Sequence, residues 1–174
     1  MDYKEAMQLR ASCRAYQEEQ ITGAQLDAVL DAASLAPVGM GAYGDVKLIV
    51  LQDAEKLDQI NALAQKTTGN PDMVPTYGAP TLIYVCVKAD MEDLLAGANV
   101  GCIMENMMVA AAAEGLGSCY LFGVCRMLEG NAEAAELIGI PEGFRAISAA
   151  AVGVPAQAPV KREADRNKME TTRS

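Results

Sequence analysis

Ala110-Ala111-Ala112-Ala113-Glu114-Gly115-Leu116-Gly117-Ser118-Cys119-Tyr120-Leu121-Phe122 is the stretch on which the fold turns. It joins the end of the longest periodic segment, about Met91 to Glu114, to a run of strand character, Ser118 to Phe122. A dinucleotide-binding glycine loop follows a strand and opens a helix. Here the order is helix, glycine turn, strand. The glycines therefore read as a helix stop, with the left-handed position that glycine supplies cheaply. No Walker sequence is present, and a nicotinamide cofactor held by its own Rossmann unit is not expected.

Upstream, Leu95, Val100, Ile103, Met104, Met107, Met108 and Ala111 recur at helical spacing. Small residues (Ala96, Gly97, Ala98, Gly101) let another helix approach closely. A helix apolar on most sides sits in a core or across a dimer seam. Thr81 to Val87 is a buried strand and Val46 to Leu51 another. Asp53 caps a helix to about Lys66, Thr22 caps one ending near Leu35, and residues 2–9 form a short helix. Downstream, Asn131 caps a helix to Ile138 that Gly139 ends, and Phe144 to Val152 is the last strand. Residues 67–80 are turn-rich and read as a mobile surface loop. The chain reads as one domain over residues 1–174, with no linker or repeat, and ends in a basic extension, 155–174. Helices cluster as well as alternate with strands, so α+β fits as well as α/β.

Composition removes whole classes of function. The chain has 174 residues and a net charge of −9, which argues against binding nucleic acid or an anionic membrane surface. No apolar run is expected to reach the roughly 18 residues of a membrane span, and Met1-Asp2-Tyr3-Lys4-Glu5 has no signal-peptide pattern. The five cysteines are scattered without CxxC spacing, so reduced thiols in the cytoplasm and no metal site are expected. Histidine is absent. No Ser-His-Asp triad, Cys-His dyad or imidazole base can be built, so an enzyme of this composition leaves its chemistry to a cofactor. The methionines at 104, 107 and 108 lie at core spacing and read as packing rather than metal ligation.

One cationic feature stands against the acidic background: Arg10-Ala11-Ser12-Cys13-Arg14. In an extended chain Arg10, Ser12 and Arg14 project to one side. A hydroxyl between two guanidinium groups suits a phosphate, because the arginine fork matches phosphate oxygens. Lys161-Arg162, beyond the last strand, can add charge to the same anion site.

In this order, five pieces resemble the FMN-dependent nitroreductase family. They are the Arg10-x-Ser12-x-Arg14 hook, Ala36-Pro37 after a helix, Gly78-Ala79-Pro80 before an apolar strand, Gly115-Leu116-Gly117-Ser118-Cys119, and Val152-Gly153-Val154-Pro155-Ala156 followed by Lys161-Arg162. The resemblance implies an α+β nitroreductase-like fold: a central, mostly antiparallel sheet flanked by helices, with the long helix at the seam of a homodimer. It implies FMN as cofactor and NADH or NADPH as electron donor, with a small electron-poor acceptor such as a nitroaromatic or quinone. No protein residue is implied to be catalytic. Arg10, Ala11 and Ser12 would hold the FMN phosphate, helped by Lys161 or Arg162, and Arg14 would tune the flavin. Leu121, Phe122 and Gly123 would offer backbone near N5. Pro37, Val38, Gly39 and Met40 would pack on the ring from the other subunit. Where many members continue the Ala-Pro loop with Ser-x-x-Asn, this chain has Val38 and Gly41, and the Asn is missing. A flavin carrier or flavin-modifying protein is the alternative that this departure motivates.

Overall fold

The computed structural model describes residues 1–173. Its elements are α1 (Tyr3–Leu9), α2 (Gly23–Ser34), β1 (Val46–Leu51), α3 (Ala54–Thr68), β2 (Thr81–Lys88), α4 (Asp93–Ala113), β3 (Gly117–Leu121), α5 (Phe122–Met127), α6 (Ala132–Ile138) and β4 (Phe144–Gly153). The strands form one sheet in the order β1-β2-β4-β3, and every pairing within it is antiparallel. The architecture is α+β.

Local chemistry sets most of the boundaries. Thr22 and Gln25 make a reciprocal capping box on α2, Asp53 accepts from the amides of Glu55 and Lys56, and Asn131 accepts from Ala134. Each satisfies backbone donors that a helix start otherwise leaves open. One element departs from the sequence expectation. The third strand ends at Leu121, and Phe122 opens α5 instead of closing the strand. Leu121 gives α5 no side-chain cap, and Gly123 weakens helix propensity, so nothing local announces it.

Strand alternation sorts the core into two layers. Ile83, Val85 and Val87 of β2 face α2 and α4, where Val29, Val100, Met104 and Met107 are buried. Leu82, Tyr84 and Cys86 face the other way, toward α3, α5 and α6. Truncating Met104 or Met107, both fully buried, costs about 2–5 kcal/mol.

The helix α4 corrects one expectation. Its 21 residues are long and apolar enough to cross a membrane. Its surroundings are those of a core helix, however: Ala96, Val100, Ile103, Met104, Met107 and Ala111 are buried in the protein interior. On the opposite side, Leu94, Gly97, Ala98 and Cys102 are exposed.

Candidate functional site

The hook is built as an extra strip on the edge of the sheet. Ser12 bridges Ser118 of β3 in parallel, Tyr16 bridges Pro155 antiparallel, and the Cys13 amide donates to the Ser118 carbonyl at 2.8 Å. Two glycines paired across the sheet, Gly117 and Gly153, make the approach possible. A Cβ on Gly117 would lie 2.7 Å from Cys13 Sγ, and one on Gly153 would lie 2.7 Å from Pro80 and 2.9 Å from the Tyr16 ring. Burial raises the Tyr16 phenol pKa, and its hydroxyl donates to the Cys13 carbonyl at 2.9 Å. The strip is therefore pinned on both its backbone and its side chains.

Its arginines reach in different directions. Arg10 to Arg14 spans roughly 13 Å of extended chain. Arg10 Nε lies 3.6 Å from Glu105 of α4. Arg14 lies over the Tyr77 ring, 5.7 Å from its centroid, and contact with Tyr77 raises its pKa. The two guanidinium groups thus sit at opposite ends of the strip and do not converge on one point.

The C-terminal segment returns to the Arg10 end. The Arg162 amide donates to the Gln8 carbonyl at 3.1 Å, and its guanidinium donates to the carbonyls of Met7 and Arg10. Lys161 pairs with Glu5 at 2.5 Å. Both basic groups thus stand beside the hook, with donors engaged by α1. Between hook and tail lies a cleft of about 200 Å³ lined by Arg10, Ala11, Ser12, Gly117, Ser118 and Pro155. At the Arg14 end a second cleft of about 270 Å³ is lined by Tyr77, Tyr120, Leu121, Gly123 and Met127. Phe122, between Leu121 and Gly123, is exposed.

Residues 37–40 are elsewhere. The Gly39 amide donates to Asn99 Oδ1 at 2.9 Å, near the start of α4. Ala112, beside the hook, is thirteen residues further along that helix, roughly 20 Å away. A Cβ on Gly39 would meet Leu95 at 2.8 Å, so this turn also needs glycine. Met40 is fully exposed and holds a φ of 57°, a left-handed conformation that non-glycine residues rarely adopt. Within one chain, the loop and the hook do not meet.

The cysteines are all free. Burial pushes the Cys86 and Cys125 thiols up to about 12, and it raises Cys119 against the pull of nearby Arg14. These are protonated core groups at neutral pH, not thiolate nucleophiles. Among the described residues no group of acidic or cysteine side chains is placed to hold a metal.

Sequence reasoning missed Tyr77, Glu105 and the glycine pair. Tyr77, just before Gly78-Ala79-Pro80, has a φ of 56° and is held by its buried neighbour Thr76, whose hydroxyl donates to Asn61 at 3.0 Å. Glu105 is a carboxylate on a largely apolar helix, and nothing local in the chain ties it to Arg10. The Gly117–Gly153 pairing depends on strand register, which the chain does not display.

The sheet order, the flanking helices and the edge strip define an α+β fold with a cationic strip on one sheet edge. The Nitroreductase family pattern matches residues 7–154, and the chain belongs to that family. It is 31% identical over 149 residues to a protein of Archaeoglobus fulgidus assigned as an NADH dehydrogenase/NAD(P)H nitroreductase, covering 84% of this chain and 81% of that one. A protein of Methanothermobacter thermautotrophicus with the same assignment is 29% identical over 170 residues, covering 94% and 82%. Among solved structures, a nitroreductase from Bacteroides fragilis with bound FMN superposes with a TM-score of 0.85 at 25% identity, covering all of both chains.

Proposed function

We propose that this chain is an FMN-dependent NAD(P)H oxidoreductase that works as a cytoplasmic homodimer, as a single domain over residues 1–174. One observation carries the reading. Arg10 and Arg162, 152 residues apart in sequence, touch at the rim of the cleft that also holds Ser12. The donor set fits a flavin mononucleotide. A cleft carrying guanidinium and hydroxyl groups stands at one end of the strip, and a cleft with two tyrosines stands at the other. FMN-bound and NAD(P)H-linked relatives support the same assignment.

Bound FMN would supply hydride acceptance at N5 and hydride donation to a second molecule. The chain's own residues do the holding. Arg10 and Ser12 bind the phosphate, with charge-assisted bonds of about 1.5–3 kcal/mol each. Arg162 braces the hook, and Lys161 adds positive charge beside it. Arg14, fixed on Tyr77, would hold its positive charge beside the flavin, where a cation favours the electron-rich form as an oxyanion hole favours developing charge. Leu121, Phe122 and Gly123 present backbone at the ring. Pro37, Val38, Gly39 and Met40 cover the ring from the partner subunit, which supplies what the single chain leaves 20 Å away. The exposed face of α4 is the seam. Turnover would be ping-pong in one cleft, with NAD(P)H as donor and a nitroaromatic or quinone as acceptor, and would need no protein acid or base.

Gly41 in place of the Asn favours a second reading, a flavin carrier without useful turnover. The visible spectrum of purified protein separates the two. A yellow protein bleached rapidly by NADH or NADPH is the reductase, and a yellow protein that keeps its colour is the carrier. Colourless protein that does not take up added FMN contradicts both.

A further inference from the structure

Outside that site, the two halves of β4 differ. Residues 149–153 pair with β3, whereas 144–148 have β2 on one side only and lie beneath α5. A β-bulge falls at this half. Among the described residues, the buried side-chain polar atoms without a partner are Tyr84 Oη, Arg145 Nε and Ser148 Oγ. Arg145 and Ser148 lie in this half, and Tyr84 pairs with Ala149 beside it. Unpartnered buried polar groups are rare because each costs its desolvation without return; Ser148 pairs with Val85 on the α4 side of the sheet, whereas Tyr84 faces α5 and α6.

A cavity of about 250 Å³ lies there, lined by Tyr84, Val124, Leu128, Ala134, Ile138 and Phe144. A second, of about 430 Å³, shares Cys125, Glu129, Arg145 and Ala146 with it. Tyr84 is 1% exposed, and its hydroxyl is an unpartnered donor in a wall that also carries Glu129, Asn131 and Arg145. We propose that the cavity enclosed by α5, α6 and the unpaired half of β4 is a binding site for a small neutral molecule. That molecule carries an aromatic or branched aliphatic body and one hydrogen-bond acceptor, which takes the Tyr84 hydroxyl.

The size agrees: an apolar cavity of about 150 Å³ already takes benzene, leaving room here for a substituent. Neutrality follows from the charges. Arg145 is already committed to Asp93 at 2.7 Å, and Glu129 on the rim disfavours an anion. A charge buried against one phenol would remain largely uncompensated. The site is independent of the flavin reading.

The test uses the full-length protein with acetophenone as probe and ethylbenzene, which lacks the acceptor, as control, both titrated by calorimetry. Acetophenone is expected to bind, and Tyr84→Phe to weaken it by about fivefold to tenfold while ethylbenzene binds unchanged. Ala134→Leu, or the milder Ala135→Leu at a half-buried position, is expected to abolish both. Without a probe, Tyr84→Phe raises the melting temperature, because it removes a buried hydroxyl that has no partner. The proposal is overturned if wild-type protein binds neither probe. It is equally overturned if Tyr84→Phe weakens both alike or lowers the melting temperature, or if the filling variants leave binding intact.

Discussion

The Arg10–Arg14 hook, an extended strip, and the Pro37–Met40 loop both depend on glycine for their fit, but they are finished to different degrees. The hook is bridged to β3, bonded to the C-terminal segment and seated on two glycines that leave no room for a methyl group. The loop has one anchoring bond to Asn99, then turns outward and exposes Met40 completely in a strained conformation. Strain of that kind persists where surrounding structure or a partner over-determines it. On the proposed reading, the contrast divides the site: one chain would complete the phosphate end, and a second copy would supply the ring end.

The sharpest way to break the contrast is Gly153→Val. Its side chain meets Pro80 and Tyr16 ring atoms that cannot swing aside. A loss of about 1–3 kcal/mol of stability is expected, read by chemical denaturation, together with loss of FMN retention. Gly117→Ala acts on the same strip against Cys13 and is expected to cost FMN affinity more than stability. Next comes Arg10→Ala, for which FMN titration should show a tenfold to hundredfold weaker complex, on the order of one charge-assisted bond. Arg14→Ala is expected to weaken FMN less and to lower the flavin potential; an unchanged potential would remove Arg14 from that role. Met40→Ala, on the unfinished side, should alter melting by no more than about 0.5 kcal/mol, as exposed substitutions do. It should still weaken dimerisation, measured by sedimentation.

A pH dependence confined to the alkaline range, and so absent at neutral pH, ignores both regions. The Cys86 and Cys125 thiols are raised by burial to about 12, from about 9 for an ordinary thiol. In that window the folded state binds more protons than the unfolded one, so stability is full below pH 9 and falls as pH rises toward 12. Cys125→Ala should flatten that fall, as read from melting temperatures across the alkaline range.

How much of this the chain displays follows from where the causes lie. Thr22, Asp53, Asn131 and Gly139 act on residues two to four away, so the helices they bound were legible to within a residue or two. The apolar periodicity of α4 was legible for the same reason. The start of α5 was not, because Phe122-Gly123-Val124 has strand-like composition and the helix is held by packing on β4 and α3. The hook's residue types were legible as an anion site, but the separation of Arg10 from Arg14 was not. It depends on Glu105 and Tyr77, which reach the hook only through the fold.

The most direct measurement is complementation. Purified Arg10→Ala and Gly39→Glu chains, each deficient in FMN-dependent bleaching by NADH or NADPH, are mixed and allowed to exchange subunits. If hook and loop of one site come from different subunits, each mixed dimer regains one intact site, and activity returns to roughly a quarter of wild type at statistical exchange. If activity does not return although mixed dimers form, the two regions serve a site within one chain, and the shared-cleft dimer is wrong.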